Sequence, residues 1–140
     1  MIFQSAMTKD YSKITSLQLS NSKLTEIAVE DMIFRYMTNL QELNLQGNEI
    51  SKIERLHELK NLRTLDLSDN KISAIDNLNL PFLSYLFLDR NQITELKNLG
   101  AVKKLEYLSI SGNKLTSANI KDTSVLGNLT YLNVSNNQIT

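Results

Sequence analysis

One pattern of apolar residues and asparagine recurs along this chain and constrains its fold more than any other feature. The segments Leu62 to Leu78, LRTLDLSDNKISAIDNL, and Leu83 to Leu99, LSYLFLDRNQITELKNL, carry leucine or isoleucine at the same offsets and asparagine at the same ninth place. A repeat with a period near 22 residues predicts a solenoid of stacked units. The pattern LxxLxLxxNxI occurs six times, in steps of 26, 22, 21, 22 and 24 residues, beginning at Ile14, Leu40, Leu62, Leu83, Leu105 and Leu129.

The segment around the second and third leucines of each unit alternates apolar and polar residues. Such alternation predicts a short β-strand, with Leu65 and Leu67 pointing inward and Asp66 pointing outward. The next unit repeats the arrangement with Phe87 in the outward place. One such strand cannot bury its apolar side alone, so the units are predicted to stack into a parallel sheet over one continuous core.

Asparagine at the ninth place has a structural explanation. Where the chain turns away from the strand, backbone groups enter the interior without strand partners, and an amide side chain carries both a donor and an acceptor that satisfy them. The first unit has Ser22 at this place, so it is predicted to be a terminal unit with weaker hydrogen bonding. An inward ladder is predicted for Asn48, Asn70, Asn91, Asn113 and Asn137.

The part of each unit after the asparagine predicts the outer face. Its apolar residues follow at mixed spacing, which is typical of short helices or 3-10 turns, for example at Ile50, Ile53, Leu56 and Leu59. In the 26-residue step, Ile33, Phe34 and Met37 lie at helical spacing, so an α-helix that buries these side chains is predicted there.

The repeated pattern resembles the leucine-rich repeat family, from Ile14 to Thr140. Units such as LRTLDLSDNKISAIDNL look most like the 22-residue subfamily that includes the leucine-rich regulatory subunit of protein phosphatase 1, and NLTYLNVSNNQIT is also similar to bacterial internalins. The resemblance implies an α/β fold: a right-handed curved solenoid with a parallel sheet on the concave face and short helices or 3-10 turns on the convex face. It also implies adaptor or regulatory work within a larger assembly.

The repeat divides the chain into two parts. Residues 1–13 precede the first unit, contain several large apolar side chains, and are predicted to form an N-terminal cap. Residues 14–140 are predicted to form the repeat domain, with five repeats and part of a sixth. No similar cover follows the last unit, so its edge at Leu129, Leu132 and Val134 is expected either to be continued by further chain or to pair with something else.

Composition narrows the classes of function. Fifteen basic and fifteen acidic residues cancel, so the net charge gives no reason to expect nucleic acid or an anionic membrane as a partner. The absence of cysteine excludes disulfides and thiolate metal sites and is typical of a reducing compartment. The N-terminus lacks the pattern of a signal peptide, and no apolar run approaches the ~18 residues of a membrane span. An intracellular, cytoplasmic protein is therefore predicted.

The sequence offers no set of residues for catalysis. The single histidine, His57, falls on an outer turn without accompanying acids or nucleophiles, and the four glycines form no phosphate-binding loop. Asp66, Asp69 and Asp89 lack the spacing of calcium ligands, so no calcium site is predicted there. We therefore predict a protein that is not an enzyme and that holds no cofactor and no metal.

The outward positions of the strands carry the most informative surface. Tyr85, Tyr107 and Tyr131 occupy the third place of three successive units, and Phe87 lies in the adjacent fifth place. Because neighbouring strands lie about 4.8 Å apart, these rings are predicted to form a continuous strip. Tyrosines also suit strand surfaces for structural reasons, but a fully apolar ring facing solvent favours a binding surface.

Charge adds a second indication about this surface. Its acidic residues outnumber its basic ones: Glu42, Asp66, Asp69, Asp89 and Glu106 face Arg63 and Arg90. An acidic, aromatic surface repels phosphate, which argues against nucleic acid, and it suits a helix or loop of another protein that carries basic and apolar side chains. The predicted partner-binding residues are Tyr85, Phe87, Tyr107, Tyr131, Glu42, Asp66, Asp89, Arg63 and Arg90.

Two functional interpretations remain open from the sequence. The first is a non-enzymatic protein-protein interaction module, an adaptor or regulatory subunit that binds a protein segment on its concave face. The alternative is a targeting or structural fragment of a larger repeat protein, such as a bacterial effector or an internalin-like protein. Further repeats or a capping helix encoded after Thr140 would distinguish them.

Overall fold

The computed structural model of the chain describes residues 10–27, 33–119 and 127–140. Within these ranges one sheet of six parallel strands runs in chain order. The strands are β1 (Ser16–Gln18), β2 (Glu42–Asn44), β3 (Thr64–Asp66), β4 (Tyr85–Phe87), β5 (Tyr107–Ser109) and β6 (Tyr131–Asn133). The predicted parallel sheet of a solenoid is therefore confirmed, and each unit contributes one strand.

The register of the sheet follows the register of the repeat. The middle leucine of each strand lies beside the middle leucine of the next, as in the pairs Leu43 with Leu65 and Leu86 with Leu108. A slip by one residue would exchange the buried and exposed sides of a strand, so burial of these leucines fixes the pairing. Equivalent residues of successive units are therefore direct neighbours on the sheet.

The core lies between the sheet and the outer segments. The inward leucines of the central strands are fully buried, as the alternation predicted: Leu65, Leu67, Leu86 and Leu88. The apolar residues that follow the asparagine are buried too, among them Ile50, Ile53, Leu56 and Leu59. Burial of a leucine or isoleucine side chain contributes about 1.5–3 kcal/mol relative to exposure, so this continuous layer supplies the main force that holds the units together.

Turns and extended segments, rather than regular helices, form most of the outer face. Within the described ranges the helices are three short 3-10 helices, at Tyr11–Lys13, Phe34–Tyr36 and Ser117–Asn119. In the 26-residue step, where an α-helix was expected, the described residues form only the second of these, and residues 28–32 lie outside the described ranges. Phe34 and Met37 are nevertheless buried as predicted, and Ile33 is half-buried against the core.

The predicted asparagine ladder is present and joins consecutive units. The Asn70 side chain accepts the backbone N–H of Ile50 at 3.0 Å and donates to the carbonyls of Leu45 and Leu67, each at 3.0 Å. Asn91 repeats this one unit later, since it accepts the N–H of Ile72 at 3.0 Å. The same arrangement holds at Asn48, Asn113 and Asn137. Each amide thus bonds to its own unit and to the preceding one.

The first unit departs from the ladder as its sequence indicated. The backbone N–H of Ser22 donates to the Asn48 side chain of the next unit at 3.0 Å, while the Ser22 hydroxyl donates to the nearby carbonyl of Ser20. Ser22 is exposed, unlike the buried Asn48 and Asn70. The first unit is therefore bonded by the amide of its successor but has no ladder amide of its own.

The eighth place of every unit adopts a left-handed backbone conformation. The φ angle at this place is 54° at Asn21, 69° at Gly47, 55° at Asp69, 52° at Arg90, 68° at Gly112 and 53° at Asn136. Asparagine and glycine tolerate this region better than other residues. At Gly47 space matters as well, because a Cβ there would lie 2.1 Å from Oδ1 of Asn21.

At both ends of the repeat domain the described apolar residues are less buried than in its centre. Of the predicted cap over residues 1–13, only 10–13 lie within the described ranges, and Tyr11 there packs against the core. At the other end Leu132 is 42% exposed, and Leu129 and Val134 are half-buried against the core.

Candidate partner-binding face

The outward side chains of β4, β5 and β6 form a contiguous aromatic strip. Tyr85, Tyr107 and Tyr131 are direct neighbours in the sheet register. The ring centroids of Tyr107 and Tyr131 lie 4.2 Å apart with the planes at 4°, and those of Tyr85 and Tyr107 lie 6.1 Å apart. Tyr85 is 43% and Tyr131 45% exposed. The structure therefore brings the three predicted tyrosines together and leaves the outer two accessible.

Phe87 widens the strip at its centre. Its ring centroid lies 5.0 Å from that of Tyr107, within the range of favourable aromatic pairs. Phe87 and Tyr107 are half-buried, so the apolar ring that was predicted to face solvent does so only in part. The neighbouring tyrosines cover part of the ring, so the accessible surface belongs to the cluster as a whole.

The position of Phe87 has a local cost that three other units avoid. At the fifth place Asn44, Asp66 and Asn133 each use a side-chain oxygen to accept the backbone N–H two residues later, at 2.9, 2.9 and 3.1 Å. These bonds fix the turn that leaves the strand. A phenylalanine has no acceptor, so the fourth unit lacks this turn bond at the place where it puts an aromatic ring on the surface.

Asp89 supports the neighbouring strand as well as contributing charge. Its Oδ1 accepts the hydroxyl of Ser109 at 2.6 Å and the backbone N–H of Ser111 at 2.7 Å. Ser109 occupies the fifth place of its unit and is itself buried. The carboxylate of Asp89 therefore completes the turn of the fifth unit from one strand away, an interaction that its sequence position does not reveal.

Asp69 and Arg90 form an ion pair across the rim of the sheet. Nε and Nη2 of Arg90 donate to the two carboxylate oxygens of Asp69 at 2.5 and 2.7 Å, and Nε2 of Gln46 donates at 3.0 Å. The Arg90 hydrogen bond lowers the pKa of the Asp69 carboxyl below its usual value, and the Asp69 carboxylate raises the pKa of Arg90. Arg90 is thus engaged within the chain.

The remaining charges of the predicted site stay available to a partner. Glu42, Glu106 and Arg63 are exposed, and Asp66 is half-buried. Among the residues that the structure describes, no ion pair involves these four side chains. Together with Asp89, the surface presents four carboxylates and one guanidinium to a partner. It therefore has an acidic excess.

The Tyr107 hydroxyl, at the centre of the strip, adds no charge to this surface. The Tyr131 hydroxyl beside it, together with partial burial, raises the pKa of Tyr107. Because an unperturbed tyrosine already titrates near pH 10, Tyr107 is neutral at physiological pH. The aromatic strip is therefore an uncharged patch beside an acidic one.

Other predicted features lie away from this face. His57 is exposed on an outer turn, with Nε2 3.5 Å from Oε1 of Glu58. The described parts of the chain contain no group of three or more histidine, cysteine, aspartate or glutamate side chains arranged to hold a metal ion. A search of the same residues finds no helix that is long and apolar enough to cross a membrane.

Comparison with protein families agrees with the repeat seen in the structure. A family model described as leucine rich repeat matches residues 12–72 and 81–139. The chain belongs to the leucine-rich repeat family. A second model, described as leucine rich repeats in two copies, matches residues 60–101. Leucine-rich repeats are typically non-enzymatic modules that bind other proteins. No curated protein sequence matches the chain.

Solved leucine-rich repeat structures resemble the chain closely in fold. An internalin from Listeria monocytogenes is 32% identical, with a TM-score of 0.68, over 76% of this chain and 32% of its own. A leucine-rich repeat protein from Leptospira interrogans has the same identity and TM-score over 76% of this chain and 28% of its own. The leucine-rich repeat domain of APL1B is 24% identical, with a TM-score of 0.79, over 99% of this chain and 43% of its own. A likeness at this low identity shows the fold alone. The chain spans less than half the length of each.

Proposed function

We propose that this leucine-rich repeat protein is a non-enzymatic interaction module that binds a segment of another protein on its concave face. The observation that carries the proposal is Phe87, since the fourth unit places an apolar ring where three other units place a turn-forming asparagine or aspartate. A residue that breaks the local rule of a repeat without improving the fold is expected at a functional site. Tyr85, Tyr107 and Tyr131 extend that ring into a strip.

The two parts of the face indicate the chemistry of the partner segment. The aromatic strip on β4 to β6 suits an apolar anchor, because clustered aromatic side chains bury much area at low entropic cost. Glu42 on β2 and Asp66 on β3 suit a lysine or arginine. Glu42 lies two strands from Tyr85, about 10 Å at ~4.8 Å per strand. Residues seven apart on a helix, at ~1.5 Å per residue, span the same distance.

An adaptor or regulatory role within a larger assembly is part of this proposal. The central units repeat at 22 and 21 residues, as in the subfamily that includes the leucine-rich regulatory subunit of protein phosphatase 1. Membership of that subfamily is part of the proposal, whereas membership of the family rests on the matching family model. Its support is the repeat length and the pattern of units such as LRTLDLSDNKISAIDNL.

The experiment compares the wild-type chain with Phe87→Asn in affinity capture from native cell extract, with bound proteins identified by mass spectrometry. Asparagine removes the ring and restores the acceptor for the turn, so the melting temperature is expected to stay unchanged while one protein is lost. Tyr36→Ser is the matched control, because Tyr36 is an exposed aromatic outside the sheet, 52% exposed. An identical set of bound proteins for Phe87→Asn and wild type would contradict the proposal.

A second candidate function rests on the solved structures. The similarity to the Listeria internalin, at 32% identity over 76% of this chain but 32% of that protein, favours a targeting or structural part of a larger repeat protein. Sequencing the transcript that encodes the chain tests this candidate. Further in-frame repeats would support it, and a stop codon directly after Thr140 would count against it.

A further inference from the structure

A second row of asparagines joins the units at the edge of the sheet where the strands begin, which we call the strand-start edge. Asn39, Asn61 and Asn128 each stand immediately before the first apolar residue of a unit. Each side chain donates a hydrogen bond to a backbone carbonyl one unit earlier. The bonds are Asn39 to Ser12 at 2.8 Å, Asn61 to Thr38 at 2.7 Å and Asn128 to Lys103 at 2.7 Å. This row joins three of the five pairs of consecutive units and is separate from the buried ladder.

Two consecutive units lack this asparagine. Phe82 and Lys104 occupy the place of the asparagine in the fourth and fifth units. Neither side chain has an amide to bond the preceding unit. Instead, Nζ of Lys104 lies 4.5 Å from the centroid of the Phe82 ring, and Phe82 remains 41% exposed. The chain gives up two links between units and places an apolar ring and a cation on the surface.

Two further lysines flank this ring in the neighbouring units. Lys60 and Lys103 stand one residue further from the strands, in the units on either side of Phe82, and Lys104 follows Lys103. All three are exposed. The ion pairs of the described residues leave them out, although Lys71 and Lys97 on other turns pair with Glu49 and Glu95. At ~4.8 Å between turns, Lys60 and Lys103 lie about 10 Å apart with Phe82 between them.

We propose that the strand-start edge at Lys60, Phe82, Lys103 and Lys104 is a docking surface for an acidic protein segment that carries an apolar side chain. The apolar side chain packs on the Phe82 ring, and the carboxylates pair with the flanking lysines. Opposite charges across such a surface speed association and select the partner. The surface goes beyond the concave face, whose acidic excess selects a basic segment, so the two sites bind different segments.

The charge pattern favours an acidic protein over nucleic acid at this edge. Exposed Glu58 lies two residues before Lys60 and exposed Glu106 two residues after Lys104, so the cationic patch is short and does not match a continuous phosphate backbone. Polyanion binding by phosphate neutralisation also needs many cations, with strong salt dependence that grows with their number. Three lysines around one exposed ring suit a few carboxylates and one apolar contact.

The test measures fluorescence anisotropy of a short fluorescein-labelled peptide that is rich in glutamate and has one central leucine. The wild-type chain is expected to bind it, and to bind the same peptide with lysine in place of glutamate much more weakly. The double variant Lys103→Glu with Lys104→Glu is expected to bind the acidic peptide at least about tenfold more weakly. The matched control, Lys52→Glu with Lys114→Glu, changes two exposed lysines elsewhere by the same charge and is expected to bind nearly as wild type.

A second variant separates binding from folding. Phe82→Asn returns the amide of the row, which is expected to donate to the carbonyl of Lys60 and to keep or raise the melting temperature while binding weakens several-fold. Phe87→Asn, on the concave face, is expected to leave this binding unchanged, so failure of one proposal is distinguishable from failure of the other.

Four results would overturn the docking surface. The first is an equal loss of binding in the control pair, and the second is a lower melting temperature together with weaker binding in Phe82→Asn. The third is that the wild type does not bind the acidic peptide. The fourth is that the wild type binds a single-stranded oligonucleotide or anionic phosphatidylserine vesicles more tightly than the peptide, and that the Lys103→Glu, Lys104→Glu variant loses this binding. The second result would make Phe82 a packing residue, and the last would assign the lysines to a phosphate ligand.

Discussion

Replacing Asn70 with alanine tests the buried ladder in the middle of the repeat domain. Asn70 is 8% exposed, and its side chain accepts the N–H of Ile50 and donates to the carbonyls of Leu45 and Leu67. Alanine removes both functions and leaves a small gap between two units. The fold is expected to form but with a lower free energy of unfolding.

The magnitude follows from which backbone groups keep a partner. The carbonyl of Leu45 still accepts the Asn48 amide at 2.8 Å, and the carbonyl of Leu67 still accepts the Asn91 amide at 2.9 Å. Loss of the second bond at each therefore contributes about 1 kcal/mol in total. The buried N–H of Ile50 loses the acceptor that the side chain supplied, which costs about 1–3 kcal/mol. The sum is about 2–4 kcal/mol.

Urea unfolding followed by circular dichroism measures this loss. With a slope of roughly 2 kcal/mol per molar urea, the midpoint is expected to fall by about 1–2 M. Asn137→Ala is the control, because Asn137 is half-buried at the last unit, where water reaches the released groups, and it is expected to cost much less. An Asn70→Ala midpoint equal to that of wild type would refute the ladder as a source of stability.

Three further predictions concern a glycine, an ion pair and the core. Gly47→Ala places a Cβ at φ 69° against the Asn21 side chain and is expected to lower the free energy of unfolding by about 1–2 kcal/mol. Urea unfolding measures this loss, and an unchanged free energy of unfolding would contradict the left-handed conformation at the eighth place. Because Arg90 lowers the pKa of Asp69, the stability that the pair gives is complete above pH about 4 and is lost as pH falls through the lowered pKa. The stability difference between wild type and Asp69→Asn is therefore expected to shrink as pH falls from 5 to about 2, and a constant difference would mean that the pair adds nothing. Leu65→Ala, at a fully buried site, is expected to cost about 2–5 kcal/mol; calorimetry that finds a loss below about 1 kcal/mol would place Leu65 outside the core.

The sequence predicted the features that depend on one unit and its copies. The inward leucines, the outward Phe87 and the buried amide of Asn70 all follow from period and position. The reason is that a strand buries alternate residues, and a buried turn needs a donor and an acceptor. The α-helix expected near Phe34 and Met37 was not found in the described residues, because side-chain spacing of three or four fits a short 3-10 helix as well.

Some contacts of the binding face were not predictable from residue types. The sequence assigned Asp89 and Arg90 to a partner, yet Asp89 also completes the turn at Ser111, and Arg90 pairs with Asp69. These bonds join residues 21 or 22 positions apart, so they depend on how one turn rotates relative to the next. A signal was present, however: Asp69 and Arg90 share the eighth place of successive units, and opposite charges at equivalent places face each other in a stacked repeat.

By itself the sequence determined that this protein is a leucine-rich repeat solenoid, because the same apolar positions recur in every unit and can be buried only by stacking. It also determined that the tyrosines form one column, because the repeat fixes the register of the sheet. Only the tertiary structure decided which side chains on the surface stay free. Phe82 and its lysines remain exposed and form no ion pair among the described residues, while Asp69 and Arg90 engage each other. The reason is that pairing depends on side-chain reach between neighbouring turns rather than on the pattern within one.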